Sequence, residues 1–465
     1  MSSHLSKFHI FILSLASLFA ACQNNQPTQS TAHNSQNPEA KFNTAVAEMV
    51  RQVSADSIEA NVRKLVSFGT RHSLSDTISD IRGIGAARRW VKSRFDHYAK
   101  ASKGRMTVQL DPFLVESGRR ITEPVTMKNT MATLHGTDPE DDRVFVISGH
   151  LDSRVTDVMD FKADAPGAND DASGVALVVE LARIMTQYEF PSTIIFVAVQ
   201  GEEQGLLGAT HLANRLKKDS VHVVAMFNND MVGNTASSET MLNNDSTVRI
   251  FSETIPLFET EEMKNLREYT GADNDSPSRQ LARYIKEVGE KYTTNFSVTL
   301  NFRRDRYLRG GDHLPFSRNG FTAVRFCEMN ENYLHQHQDV KITDGIQYGD
   351  LPQFVNFKYA AQIARVNLAS LSSLAMAPYA PRDVMLNVEL ANTSTLSWSA
   401  PPRGPRPVGY NVLIRETYEP HWSKKIFVSD TSITIPYSKD NFFFAVESVG
   451  RQNVSSLAVF PRPRR

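Results

Sequence analysis

Three short apolar runs limit what this chain can fold into: VFVISG at 144–149, TIIFVAV at 193–199 and VHVVAMF at 221–227. Each is short for a helix and too continuously apolar for a strand with one wet face. Helical patterns lie between them, at 173–188 and 206–216. Parallel neighbours need a crossover connection, so buried strands alternating with helices specify a largely parallel sheet covered on both faces. Polar, chemistry-bearing residues follow each run: His150 the first, Glu202 and Glu203 the second, Asp230 the third. Ligands of open α/β sheets bind beyond the carboxyl ends of the strands. The loop between the first run and its helix adds Asp152, Asp170 and Asp171. Imidazole and carboxylates gathered at strand ends suit a borderline metal such as zinc. The residues themselves therefore point to a two-metal hydrolase.

The remaining patterns extend that core. Strands are expected at 106–115, 129–134 and 322–327, and helices over 40–68, 84–98 and 354–376. Together they make a three-layer α/β/α domain with a mixed, largely parallel sheet from 40 to 377. GTRHS at 69–73 reads either as a glycine helix stop or as part of a substrate cleft. Residues 234–300 are polar and interrupt the alternation, which indicates an insertion that walls or caps the cleft. After Ala377 short alternating strands take over, as in an all-β sandwich over 380–465. The opening prolines, Trp398 in the second strand and Tyr410 before an apolar strand resemble a fibronectin type III module. It holds no catalytic cluster, so adhesion, spacing or substrate presentation is its expected role.

Lys+Arg and Asp+Glu both total 51 in the 465 residues, and a net charge of zero gives no electrostatic basis for a nucleic-acid partner. Two cysteines, Cys22 and Cys327, cannot make a disulfide framework. Residues 1–21 read as an export signal, with an apolar run too short to span a membrane stably. The run ends SLFAAC, which resembles the lipobox of bacterial lipoproteins, although Phe19 replaces the usual leucine. That resemblance implies acylation of Cys22 and an exported protein facing the periplasm or cell surface, while the polar composition of 22–39, without apolar period, reads as a disordered tether. Gln23 after the cysteine fits an outer-membrane anchor, and membrane contact is expected only through the lipid.

HLDS at 150–153, GANDDASG at 167–174, EEQGLLG at 202–208, NDM at 229–231 and a histidine four residues before Asp339 are together similar to the bacterial zinc aminopeptidases. That family is related to plasma glutamate carboxypeptidase and glutaminyl cyclases. The resemblance implies a hydrolase with two zinc ions that removes N-terminal residues from peptide substrates. One ion would take His150, Asp170 and Asp230, and the other Asp170, Glu203 and the late histidine. Spacing selects His335 as that histidine, with His337 as the alternative. Glu202 would be the general base toward a water shared by the ions, delivering its proton to the leaving amine. Asp152 would hydrogen-bond the His150 imidazole and set its tautomer, while Asp171 would cap the following helix. Asp312 and His313 in GGDHLPF match a motif that lines the cleft without binding metal. The rival readings are a single-zinc glutaminyl cyclase-like or carboxypeptidase activity, and a non-catalytic binding protein on the same fold.

Overall fold

The computed structural model describes residues 42–464. The export signal, Cys22 and the tether lie outside the described residues. Helices α1 (Thr44–Arg51), α2 (Ala55–Val66) and α3 (Gly83–Ala99) lead into strands β1 (Met106–Val115), β2 (Val125–Leu134) and β3 (Arg143–His150). Then come α4 (Ala172–Met185), β4 (Thr193–Val199), α5 (Leu207–Lys218), β5 (His222–Asn229) and β6 (Thr247–Phe251). The domain continues with α6 (Glu261–Thr270), α7 (Pro277–Tyr292), β7 (Ser297–Asn301), α8 (His313–Arg318) and β8 (Ala323–Glu328). A small hairpin, β9 (Lys341–Thr343) and β10 (Ile346–Tyr348), precedes the long helix α9 (Phe357–Met376).

Eight strands form one sheet in the order β1-β2-β4-β3-β5-β8-β6-β7. The middle four, β4-β3-β5-β8, are parallel, and antiparallel pairs join them to the flanks at β2–β4 and β8–β6. β3 is buried along its whole length, as its continuous apolar run requires. One face of the sheet is covered by α1–α4, α7 and α9, whose apolar residues form the main core. The other carries α5 and α8, with Leu212, Leu216 and Phe316 packed on Val146 and Val197. The expected three layers are present. α4 is buried on nearly every side because it lies between the sheet and the outer helices α2 and α9.

Residues 234–300 are more than an insertion over a cleft. They supply β6 and β7, which extend the main sheet, and α7, which packs against α9. The polar composition concealed β6 and β7 because both strands are short and partly exposed, whereas the amphipathic pattern around Arg279 to Tyr292 is α7.

The C-terminal all-β module has two sheets, β15-β12-β11-β17 and β14-β13-β16. Its strands are β11 (Arg382–Asn387), β12 (Ser394–Ser399), β13 (Gly409–Glu416), β14 (Lys424–Val428), β15 (Ser432–Ile435), β16 (Phe442–Val449) and β17 (Arg462–Arg464). Trp398 and Tyr410 meet edge to face in its core. The module is bolted to α7 and the turn before it: Asp275 takes Arg283 at 3.0 Å on one oxygen and Arg415 at 2.5 Å on the other. Trp422 also donates its indole N–H to Gln280, 3.1 Å away.

Candidate metal centre

The centre starts where β3 ends. His150 is buried, and its Nδ1–H donates to the main-chain carbonyl of Asp152 at 3.0 Å. That bond orients the ring, so that Nε2 faces Asp170 Oδ1 at 3.0 Å and Asp230 Oδ1 at 3.8 Å. The Asp152 carboxylate does not perform the expected orienting role, because its Oδ1 stands 4.0 Å from Nδ1. It accepts instead from the backbone N–H groups of Gly201 at 2.8 Å, Glu203 at 3.0 Å and Glu202 at 3.3 Å. Asp152 thus binds the loop after β4 to the loop after β3.

GANDDASG brings its two aspartates in through close backbone approach. A Cβ on Gly174 would lie 2.3 Å from the carbonyl oxygen of Asn229, and one on Gly149 would lie 2.6 Å from the Gly174 carbonyl carbon. Only glycines let the first turn of α4 press against β3 and β5 in this way. Asp171 caps α4 through Gly174 N–H at 3.0 Å and also accepts from the N–H groups of His150 and Met231. The Asp170–Asp171 peptide is cis. Asp350 accepts from the N–H groups of Asn169 and Asp170, at 2.9 and 2.7 Å. Arg71 of GTRHS is buried and donates to the carbonyls of Leu151, Pro166 and Gly167. GTRHS is therefore a brace beneath the loops, and its His72 is fully buried.

Asp170 straddles two clusters. Its Oδ1 faces His150, and its Oδ2 lies 2.9 Å from Nε2 of His337. His337 Nε2 is also 2.9 Å from Glu203 Oε1. The expected His335 is elsewhere: its ring stacks on Phe354 with centroids 3.7 Å apart, and burial pushes its pKa down to about 4. Counting back from Asp339 fails because residues 332–338 form turns, with Gln336 N–H on Asn332 O and Gln338 N–H on His335 O. His337 has φ +56°, which ends any extended alternation of side chains. The structure therefore brings together His150, Asp170 and Asp230 as one group and Asp170, Glu203 and His337 as another, with ligand atoms within 4.8 Å in each.

Two arginines that sequence reasoning passed over hold the carboxylates. Arg325 on β8 is fully buried and reaches Asp230 Oδ1 at 2.8 Å, holding that carboxyl below its usual range against its burial. Arg154 Nε pairs with Glu203 Oε2 at 2.9 Å. An arginine inside the apolar run AVRFCE is a signal that could have been read, since a buried charge needs a partner. Asp350 had no such signal. Against its burial, Asp171, Asp170 and Asp230 hold the His150 imidazolium well above its ordinary range. Burial pushes Glu202 well above the carboxylate range, with Asp230, Glu203 and Asp312 adding to it. Asp312 and His313 are both buried rather than lining an open cleft. His313 Nε2 lies 2.9 Å from Arg304 O, and burial raises Asp312 to about 8.

The donor sets fit zinc: each combines one imidazole with carboxylates. Glu203 Oε1 is buried without a hydrogen-bond partner although His337 Nε2 is 2.9 Å away, so the two atoms are close but not aimed at each other. An ion between them would satisfy both.

A profile of peptidase family M28 matches residues 129–348, which span every residue of the two groups. A protein of Leptosphaeria maculans named "Probable zinc metalloprotease" is 45% identical over 420 residues, covering 90% of this chain and 97% of its own. Among solved structures, LapA of Legionella pneumophila is similar in fold, with 21% identity, TM-score 0.52, and 73% and 78% of the two chains covered. An aminopeptidase from Aneurinibacillus sp. strain AM-1 is similar at 14% identity and TM-score 0.50, covering 72% of this chain and 96% of that one. With 45% identity across nearly all of a relative and the profile over the centre itself, the chain belongs to peptidase family M28.

Proposed function

We propose that this chain is a zinc metallopeptidase holding two ions and removing N-terminal residues from peptides. The observation that carries the reading is Asp170, whose two oxygens serve two donor groups, His150 with Asp230 and Glu203 with His337. Zinc, when bound, would polarise a peptide carbonyl and acidify a water. The chain's own residues do the rest. Asp152 holds the N–H groups of Glu202 and Glu203, so the neighbouring side chains can part, one toward the second donor group and one free. Glu202 is the proton carrier: it takes a proton from the attacking water and gives it to the leaving amine.

Replacing Glu202 with Gln tests this. Turnover of aminoacyl-anilides should fall by ~10²–10⁴-fold, the usual contribution of a general acid–base group, while elemental analysis still finds two ions. One zinc per chain with no amine-dependent hydrolysis would instead favour the single-ion readings. Two ions with no turnover of any peptide would favour a binding protein. We also propose export and lipid anchoring through Cys22. A Cys22→Ser variant should lose fatty-acid labelling, and unchanged labelling would sink the anchor.

A further inference from the structure

The two oxygens of Glu203 have different surroundings. Oε2 accepts from Arg154 Nε at 2.9 Å, whereas Oε1 has no hydrogen-bond partner and faces His337. The same guanidinium reaches past Glu203, with Nη2 2.6 Å from His337 Nδ1. Its Nη1 lies 3.3 Å from the carbonyls of both Val155 and Thr156, which fix the fork from behind. A guanidinium only donates, so Nδ1 is the acceptor in this contact. None of the hydrogen bonds of Arg154 reaches His150 or Asp230, so the clamp acts on one donor group only.

Resting on the two-ion reading above, we propose that Arg154 is the positioning residue of the second ion: it pins Glu203 through Oε2, offers Oε1 alone as the ligand atom, and holds His337 in place when no ion is bound. An ion's charge and the guanidinium would repel, but the carboxylates of Asp170 and Glu203 would offset that charge, so the gain in ligand orientation should outweigh the repulsion. Partners that orient metal ligands typically contribute 10–100-fold in metal affinity.

The test titrates Zn²⁺ into the full chain after stripping with chelator, following heat and, at saturation, metal content. Wild type should take up two ions. Arg154→Met should bind the first ion with wild-type affinity and the second ~10–100-fold more weakly. Arg154→Lys keeps a donor for Glu203 without the fork, so it should fall between the two. A general structural role would instead lower the thermal stability of the stripped protein and weaken both ions together, and that result overturns the assignment. So does Arg154→Met binding two ions as wild type does, or binding the second more tightly. A wild type that saturates at one ion overturns the two-ion reading and this inference with it. Two wild-type ions with an unaffected Arg154→Met overturn the inference alone.

Discussion

The two halves of the candidate centre are built differently. In one, His150 ends β3 and Asp230 follows β5, both almost fully buried, and the arginine that steadies Asp230 comes from β8 with no exposure at all. In the other, Glu203 and His337 both lie on loops, His337 is 24% exposed, and its arginine is 18% exposed. Only Asp170 belongs to both. A sheet fixes side chains at its strand ends to within the tolerance of the sheet itself. A loop ligand depends on whatever hydrogen bonds reach it. The first half should therefore resist change until it fails with the fold, and the second should adjust and exchange.

The largest expected effect falls on the buried half. Arg325→Met removes the partner of Asp230 and one of the partners of Asp305, leaving buried carboxylates with less compensation. Breaking a buried pair in this way costs about 3–5 kcal/mol, which denaturant melts of the stripped protein would report. A cost below about 1 kcal/mol would mean that the first half is not held by its arginine, and the contrast would collapse. The next effect is on the exposed half. His337→Ala should lose the second ion, keep the first and leave the melting curve of the stripped protein nearly unchanged. Loss of both ions would show that the halves are not separable.

A smaller effect tests the bridge between them. Burial raises Asp312 to about 8 and Asp350 to about 7, and Asp350 holds the backbone of the shared Asp170. For acids whose folded pKa lies above the unfolded one, the folded state binds the extra proton, so stability falls as pH rises. Stripped protein should lose several degrees of melting temperature between pH 5 and 8. Zinc favours the ionised carboxylates and should flatten that decline. An equal decline with and without zinc would separate these acids from the metal centre.

The buried half was also the legible half. Runs at 144–149 and 193–199 became β3 and β4 with little change in bounds, and their following residues landed at the centre because topology leaves strand ends few other places to go. Asp152 was placed correctly and its contact misjudged: periodicity locates a residue, but the choice between imidazole and three backbone N–H groups depends on loop geometry. Arg154 gave no sign of its partners, since these come from loops about 50 and 180 residues later in the chain. Polarity hid β6 and β7 for a related reason. Near one flank of the sheet a strand need not be apolar on both faces.

The smallest effect is expected at His335, where the reading by spacing went astray. Its ring is stacked on Phe354 at an interplanar angle of 11°, and burial keeps it neutral, with a pKa of about 4. A neutral imidazole in that position packs like an aromatic ring, and such a pair contributes about 0.5–1.5 kcal/mol beyond its buried area. His335→Ala should therefore lower stability by about 1 kcal/mol while both ions bind as in wild type. His335→Phe should restore most of that loss, because the stack needs a flat ring and no nitrogen. If His335→Ala instead removes the second ion and His337→Ala does not, the turns at 332–338 rearrange when metal enters. The exposed half would then owe its ligand to the ion rather than to the fold.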